Sequence, residues 1–392
     1  MENRRPFFYD VTLRDGNQAL KKPWNAQEKE TIFLQLVKLG VQAIEVGFSG
    51  SSDMDFEACR HLASIAPQQV IVAGLARANE KDILKVAEAL VEANSKRIHT
   101  FIAFSPFHMK NVLKKSPRDV RTIAVEAVGF ARDLLGDGQE IQFSVEHFGD
   151  CAENLTFVIE SLQEVVAAGA TVINLSNTVE RTRPLQFVEM MKTVFSNLPE
   201  GVISSVHCHN DLGMATATTV ESFFAGAYQL ECSLNGLAER AGISSLYEVA
   251  MSLYNCGIDV PLDMSRFYET AHMLAGMSSI PIHEKCPLIG SDALVHRSGI
   301  HQDGAGKTRG MKKGAYRTID PSLIGRGGER MRFTSQSGKM AIYEIIHKAG
   351  YAITIEDALR ILPAARKKAE EMGELPLEVL LNLYINESVK SI

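Results

Sequence analysis

Eight short β-forming runs recur up to residue 234 of the chain, and helical patterns separate them. The runs are 7–13, 43–46, 70–73, 99–104, 141–145, 172–175, 202–207 and 229–234. Between the first two, Ile32, Phe33, Leu36 and Val37 form one helical stripe, and Gly40 stops it. Ala168-Gly169-Ala170 and Ala225-Gly226-Ala227 end helices just ahead of a strand, where glycine suits the cap. Eight alternating units within about 250 residues are what a closed barrel of parallel strands requires. An open doubly wound sheet would carry a glycine-rich phosphate turn after its first strand. Here Leu13-Arg-Asp-Gly-Asn-Gln18 is a charged turn instead. The expected fold is therefore α/β, a (β/α)8 TIM barrel with a smaller, mainly helical C-terminal region.

The remaining chain breaks this rhythm. Residues 263–279 read as a helix, 287–313 as a glycine-rich, mostly irregular stretch centred on Ser298-Gly-Ile-His-Gln-Asp-Gly304, and 341–349, 355–372 and 375–391 as helices. The expected division is a catalytic barrel at 1–262, a linking subdomain at 263–340 and a helical subdomain at 341–392. A formal net charge of −6 leaves no basic footprint for nucleic acid or an anionic membrane. No apolar run reaches the length of a membrane span, and the N-terminus is not followed by a secretory apolar stretch. Six cysteines without a Cys-x-x-Cys pair fit a reduced, cytoplasmic protein.

The chemistry gathers at the strand ends. His207 and His209 are two residues apart at the end of a β run, so both side chains point to one face. Two imidazoles on one face can grip one divalent cation. In a barrel, functional groups sit at the C-terminal ends of the strands. Those ends supply Arg14 and Asp15, Glu45, Ser105, Glu146, Asn177 and Thr178, His207 and His209, then Asn235 with Glu239 and Arg240. Asp15, His207 and His209 make a carboxylate plus two imidazoles, which water and a bidentate substrate complete to six-coordination. Such a site acts as a Lewis acid on a carbonyl oxygen, and Arg14 adds a fixed charge beside that oxygen. Singly, each residue has a plainer role. A lone His-x-His is more often two ordinary histidines, Asp15 a turn residue, His301 a loop hydrogen-bonder, and Glu239-Arg240 an ion pair. Cys208 points away from the ligand face, into the core. Their joint placement on one rim favours the chemical reading.

Three motifs extend this into a resemblance. Asp10-Val-Thr-Leu-Arg-Asp-Gly-Asn-Gln-Ala-Leu20, His207-Cys-His-Asn-Asp-Leu-Gly213 and Asn235-Gly-Leu-Ala-Glu-Arg-Ala-Gly242 resemble the signatures of the metal-dependent lyase and Claisen-condensing TIM barrels. That group holds the 2-isopropylmalate, homocitrate and citramalate synthases and hydroxymethylglutaryl-CoA lyase. Glu45-Val-Gly-Phe48, Asn177-Thr-Val-Glu-Arg-Thr-Arg-Pro184, Ser298-Gly-Ile-His-Gln-Asp-Gly304 and Ser335-Gln-Ser-Gly-Lys339 look like the 2-isopropylmalate synthase branch.

The resemblance implies that Asp15, His207 and His209 bind a divalent metal (Mg, Mn or Zn). It implies that Arg14 polarises the keto group, that Arg14, Gln18, Glu146, Thr178 and Asn235 contact substrate, and that His301 and Tyr316 come from the partner copy of a homodimer. Arg14, Glu146, His301 and Tyr316 are then the catalytic set. Acetyl-CoA would be condensed with a 2-oxo acid, 2-oxoisovalerate first, with 2-oxoglutarate, pyruvate or another 2-oxo acid as alternatives. Carbon–carbon cleavage by a lyase is the rival class. Two departures bear on the acceptor: Gly242-Ile243 stands where Gly-Asn is usual, and Ser49, Gly50 and Ser51 follow Glu45-Val-Gly-Phe48. The chain ends at Ile392, so the expectation is no leucine-regulatory domain and no leucine feedback.

Overall fold

The computed structural model describes residues 4–311 and 313–389. The chain forms two compact units: one runs to Asp263 and adds Thr270–Pro281, the other takes Met264–Glu269 and the residues from Ile282 onward.

The first unit is a closed barrel of eight parallel strands in sequence order. They are β1 (Phe7–Asp10), β2 (Ala43–Gly47), β3 (Ile71–Arg77), β4 (Ser95–Ala103), β5 (Glu140–Glu146), β6 (Val172–Asn177), β7 (Ile203–Cys208) and β8 (Gln229–Cys232). Pairing of Phe7 with Gln229 and Asp10 with Cys232 closes the ring. Helices cross between successive strands. The first, Ala26–Leu39, is entered through a capping box of Asn25 and Glu28 and left through Gly40 in the left-handed region.

Strand alternation sorts the side chains. Ile44, Val145, Val206 and Leu230 point outward and are fully buried. Each such burial contributes about 1.5–3 kcal/mol. The inward set is unusually polar. Where branched apolar residues dominate most barrels of this kind, Arg97, His99, Gln142, Asn174, Gln229 and Glu231 are buried here.

The first run is shorter than its hydropathy suggests. β1 stops at Asp10, and Thr12–Gly16 winds into one π-helical turn. The Asp10 carboxylate accepts hydrogen bonds from Thr12 N (2.8 Å) and Oγ1 (3.0 Å), which pulls the chain out of the sheet. Thr12 Oγ1 in turn accepts from Leu234 N at 2.8 Å.

In the second unit, β9 (Val295–His296) pairs in parallel with β10 (Arg330–Met331). Helices follow at Gly299–Lys307, Lys339–Lys348, Ile355–Met372 and Leu377–Val389. One apolar cluster joins Ala305, Met331 and Phe333 to Ile342, Ile361 and Leu380. The boundary expected at residue 340 therefore falls inside a single core. The stretch expected to be irregular contains the helix Gly299–Lys307, with His301 in its first turn. Buried Gln302 ties it down, donating to the carbonyls of His296 (2.9 Å) and Arg332 (2.8 Å). The end of the last expected helix, at Ser391, lies outside the described residues.

Candidate active site

The π-turn after β1 aims two side chains across the barrel mouth. Arg14 Nε donates to Glu45 Oε2 at 2.5 Å, and Arg14 Nη1 lies 3.2 Å from Asp15 Oδ2. Asp15 Oδ2 is 3.5 Å from His207 Nε2 and 4.0 Å from His209 Nε2, and the two imidazole nitrogens are 3.3 Å apart. Three ligand atoms thus converge on one point, all three residues buried. The donors suit a cation. Burial alone would raise the Asp15 carboxyl, but Arg14 and the two imidazoles bring it below the usual range. Burial, then His207, lowers His209 to about 3, which keeps its ring neutral and its lone pair available. Glu231 Oε2 lies 3.0 Å from His207 Nδ1 and, as an acceptor, holds the proton there, so Nε2 faces the other two ligands.

A cavity of about 280 Å³ opens over this group. Arg14, Asp15, Gln18, Glu146, Thr178, His207 and His209 all line it, so seven of the ten expected site residues are brought together. Burial raises the Glu146 carboxyl above its ordinary range, with Arg14 opposing. Thr178 Oγ1 accepts from His147 N at 2.8 Å, which pins β6 to the residue after Glu146.

Asn235 does not join the cavity. Its amide donates to the Ala271 carbonyl at 3.0 Å, and its backbone is in the left-handed region. Expected as a substrate contact, it instead holds the loop after β8. Arg240 pairs with Asp211 at 2.8 Å and not with Glu239, whose backbone N–H reaches Asp15 Oδ1 at 3.3 Å. Cys208 is fully buried, as its register requires. Ser49 and Gly50 line neither this cavity nor the adjacent one, which Ser51 does line. Ile243 packs with Tyr9, Val11 and Ala238, so its side chain is core.

His301 and Tyr316 belong to the second unit, where their rings stack at 4.1 Å. A Cβ on Gly304 would come within 2.5 Å of the Tyr316 ring, so the last glycine of Ser298–Gly304 makes room for that stack.

Behind the site lie supports of which only Glu45 was expected at the rim, without its role. Glu45 Oε1 accepts from Tyr9 OH at 2.9 Å and faces His99 Nδ1 at 2.5 Å, while His99 Nε2 meets Ser144 Oγ at 2.6 Å. Arg14 is thereby held by a carboxylate that is itself fixed from two sides. Burial would lower the Arg14 guanidinium, yet Glu45 and Asp15 keep it firmly charged. Only the inward alternation of Glu45, His99 and Glu231 could have signalled these roles.

A second convergence, His108, His147 and Asp150, suits a cation less well. Its two rings stack at 3.5 Å, which sets their lone pairs side by side, and Arg181 already pairs with Asp150 at 2.9 Å.

Comparison with known proteins gives the family of the chain. Residues 5–274 match the HMGL-like family, and residues 292–347 match the alpha-isopropylmalate synthase post-catalytic domain. Among solved structures, an HMG-CoA lyase from Brucella melitensis superposes with a TM-score of 0.60 at 19% identity, covering 70% of this chain and 99% of that one. Hydroxymethylglutaryl-CoA lyase from Pseudomonas aeruginosa gives 0.59 at 20% identity, over 70% and 93%. At such identity the likeness shows the shared barrel fold.

The chain is thus an HMGL-like TIM barrel joined to a post-catalytic domain. Within that class, 2-isopropylmalate synthase 2 of Leptospira interrogans is 56% identical over 95% of this chain and 88% of its own length. The 2-isopropylmalate synthase of Pyrococcus furiosus is 37% identical over 96% and 76%. The chain belongs to the 2-isopropylmalate synthase family.

Proposed function

We infer that this chain is an acyl-CoA:2-oxo acid C-acyltransferase that condenses acetyl-CoA with 2-oxoisovalerate to give 2-isopropylmalate, a step of leucine biosynthesis. The observation that carries the reading is the convergence of Asp15, His207 and His209 beside Arg14 in one cavity. Asp15, His207 and His209 would hold a divalent cation (Mg, Mn or Zn), which would supply Lewis acidity toward a keto oxygen. Arg14 presents its remaining N–H groups to the same oxygen as charge builds on it. Glu146, Gln18 and Thr178 orient the oxo acid from the cavity wall.

In the reaction, a base takes one proton from the acetyl methyl, and the new C–C bond forms at the keto carbon. The resulting alkoxide takes up a proton. Water then cleaves the thioester, releasing the CoA thiol and a carboxylate. Glu146, His301 and Tyr316 are the available proton carriers. His301 and Tyr316 act from a second copy of the chain, which makes the homodimer the working unit. A cytoplasmic setting fits the cysteines, all of which are free thiols. Among the described residues no helix is long and apolar enough to cross a membrane.

Thiol release from acetyl-CoA, measured against a panel of 2-oxo acids, tests this. The expected result is the highest kcat/KM for 2-oxoisovalerate. Preference for 2-oxoglutarate or pyruvate would reassign the acceptor. No thiol with any oxo acid would remove the synthase reading and leave a lyase. The shared site predicts one further result. Mixing an inactive His207→Ala variant with an inactive His301→Ala variant should restore about a quarter of wild-type turnover, the share expected from random pairing in a two-fold dimer. No recovery on mixing would place His301 in its own chain's site.

A further inference from the structure

The barrel interior beneath the site holds one continuous set of hydrogen bonds, and several of its donors converge on Glu231. At the bottom, fully buried Arg97 pairs with Glu140, bonding through Nε at 2.8 Å. Its Nη1 donates to the amide oxygens of Gln142 (2.8 Å) and Gln229 (2.6 Å). With both amide oxygens accepting from Arg97, the NH2 groups are the donors to the next layer, and Gln229 Nε2 also cross-links to Gln142 Oε1 at 3.0 Å. Gln142 Nε2 donates to Glu231 Oε1 at 2.7 Å, and Gln229 Nε2 reaches Ser205 Oγ at 2.8 Å and Glu231 Oε1 at 3.4 Å. Ser205 Oγ adds a third donor to Glu231 Oε1 at 3.2 Å. That oxygen is saturated, so Oε2 is left for His207 Nδ1. Strand register sets the stack, since Ser205 lies beside Gln229 and His207 beside Glu231.

We propose that this polar core is a positioning network for the metal centre: Arg97, Gln142, Gln229 and Ser205 hold Glu231 so that it fixes the His207 ring with Nε2 on the cation. The inference rests on the metal reading above. Glu231 is fully buried and makes no ion pair with Lys or Arg among the described residues. Among the described residues its ionic partner is His207 alone. A charge held in that way needs a rigid set of donors on one oxygen and a cation beyond the imidazole on the other. A core that served packing alone would be filled with branched apolar side chains.

The test uses the chelator-stripped full-length protein, titrated with Co(II) and followed by visible absorption, alongside the melting temperature of each metal-free protein. Glu231→Gln should weaken Co(II) binding about 10–100-fold, the range for outer partners of a metal-bound histidine. The double variant Gln142→Met/Gln229→Met should weaken it on the order of 10-fold and alter the absorption bands. Should the double variant not fold, Ser205→Ala and single Gln229→Met carry the test, with smaller losses in the same direction. Melting temperatures that fall while Co(II) affinity and spectrum stay within twofold of wild type would overturn the proposal and leave a purely structural core. A wild-type protein that binds no Co(II) would overturn the metal reading with it, so the two failures are distinct.

Discussion

Arg14 shows how much one side chain depends on its neighbours. Its Nε is spent on Glu45 and one Nη faces Asp15, which leaves the rest of a planar fork for substrate. Lysine offers a single point charge and cannot hold Glu45 and an oxyanion together. Arg14→Lys should lower kcat about 10²–10³-fold, the range for a lost oxyanion donor, while Co(II) affinity stays near wild type. Loss of metal binding in that variant would show that Arg14 works by ordering Asp15. Glu45 makes a complementary case. Fully buried, it meets Arg14, His99 and Tyr9. Glu45→Ala should destabilise the protein by about 3–5 kcal/mol, as breaking a buried pair does. Urea unfolding of the metal-free protein measures it, and a change below about 1 kcal/mol would mean that water takes over the carboxylate's role.

At the scale of elements, the loops carry the constraint. Gly242 sits at φ 88°, and a Cβ there would lie 2.1 Å from the Gly236 carbonyl oxygen. The same loop receives Asn210 N on the Gly242 carbonyl at 2.9 Å, just beyond His209. Gly242→Ala should therefore cost about 1–3 kcal/mol in strain and weaken metal binding with it. An unchanged unfolding midpoint would contradict this. The eight strands and the shared face of His207 and His209 were legible in the sequence because alternation and His-x-His spacing are local patterns. The end of β1 was not, since the Asp10–Thr12 bonds that turn the chain leave no mark in hydropathy. The helix Gly299–Lys307 was hidden by its glycines, which have low helix propensity. Gln302 and the packing of Tyr316 on Gly304 replace that propensity with tertiary contacts. Glu45, His99 and Glu231 gain their meaning only when strands far apart in sequence become neighbours.

At the scale of the whole molecule, a polar interior has consequences for stability. Burial raises Asp10 to about 7, although Thr12 donates to it twice. A folded-state value above the unfolded one means that the native protein holds this proton more tightly. The contribution of Asp10 to stability is therefore fully present below about pH 4. It is lost as pH rises to about 7. The loss is on the order of 4 kcal/mol. Relative to wild type, Asp10→Asn should gain stability steadily across that window and level off above it. Urea titrations at fixed pH values measure the difference, and a gap independent of pH would refute the assignment.

The proposed activity depends on a cation held by Asp15, His207 and His209. The most direct measurement is thiol release with acetyl-CoA and 2-oxoisovalerate, first after chelator stripping and then as metal is returned stepwise. Turnover should disappear on stripping and return to its full value at one divalent ion per chain, with no return in His207→Ala. Full turnover in the stripped protein would contradict this.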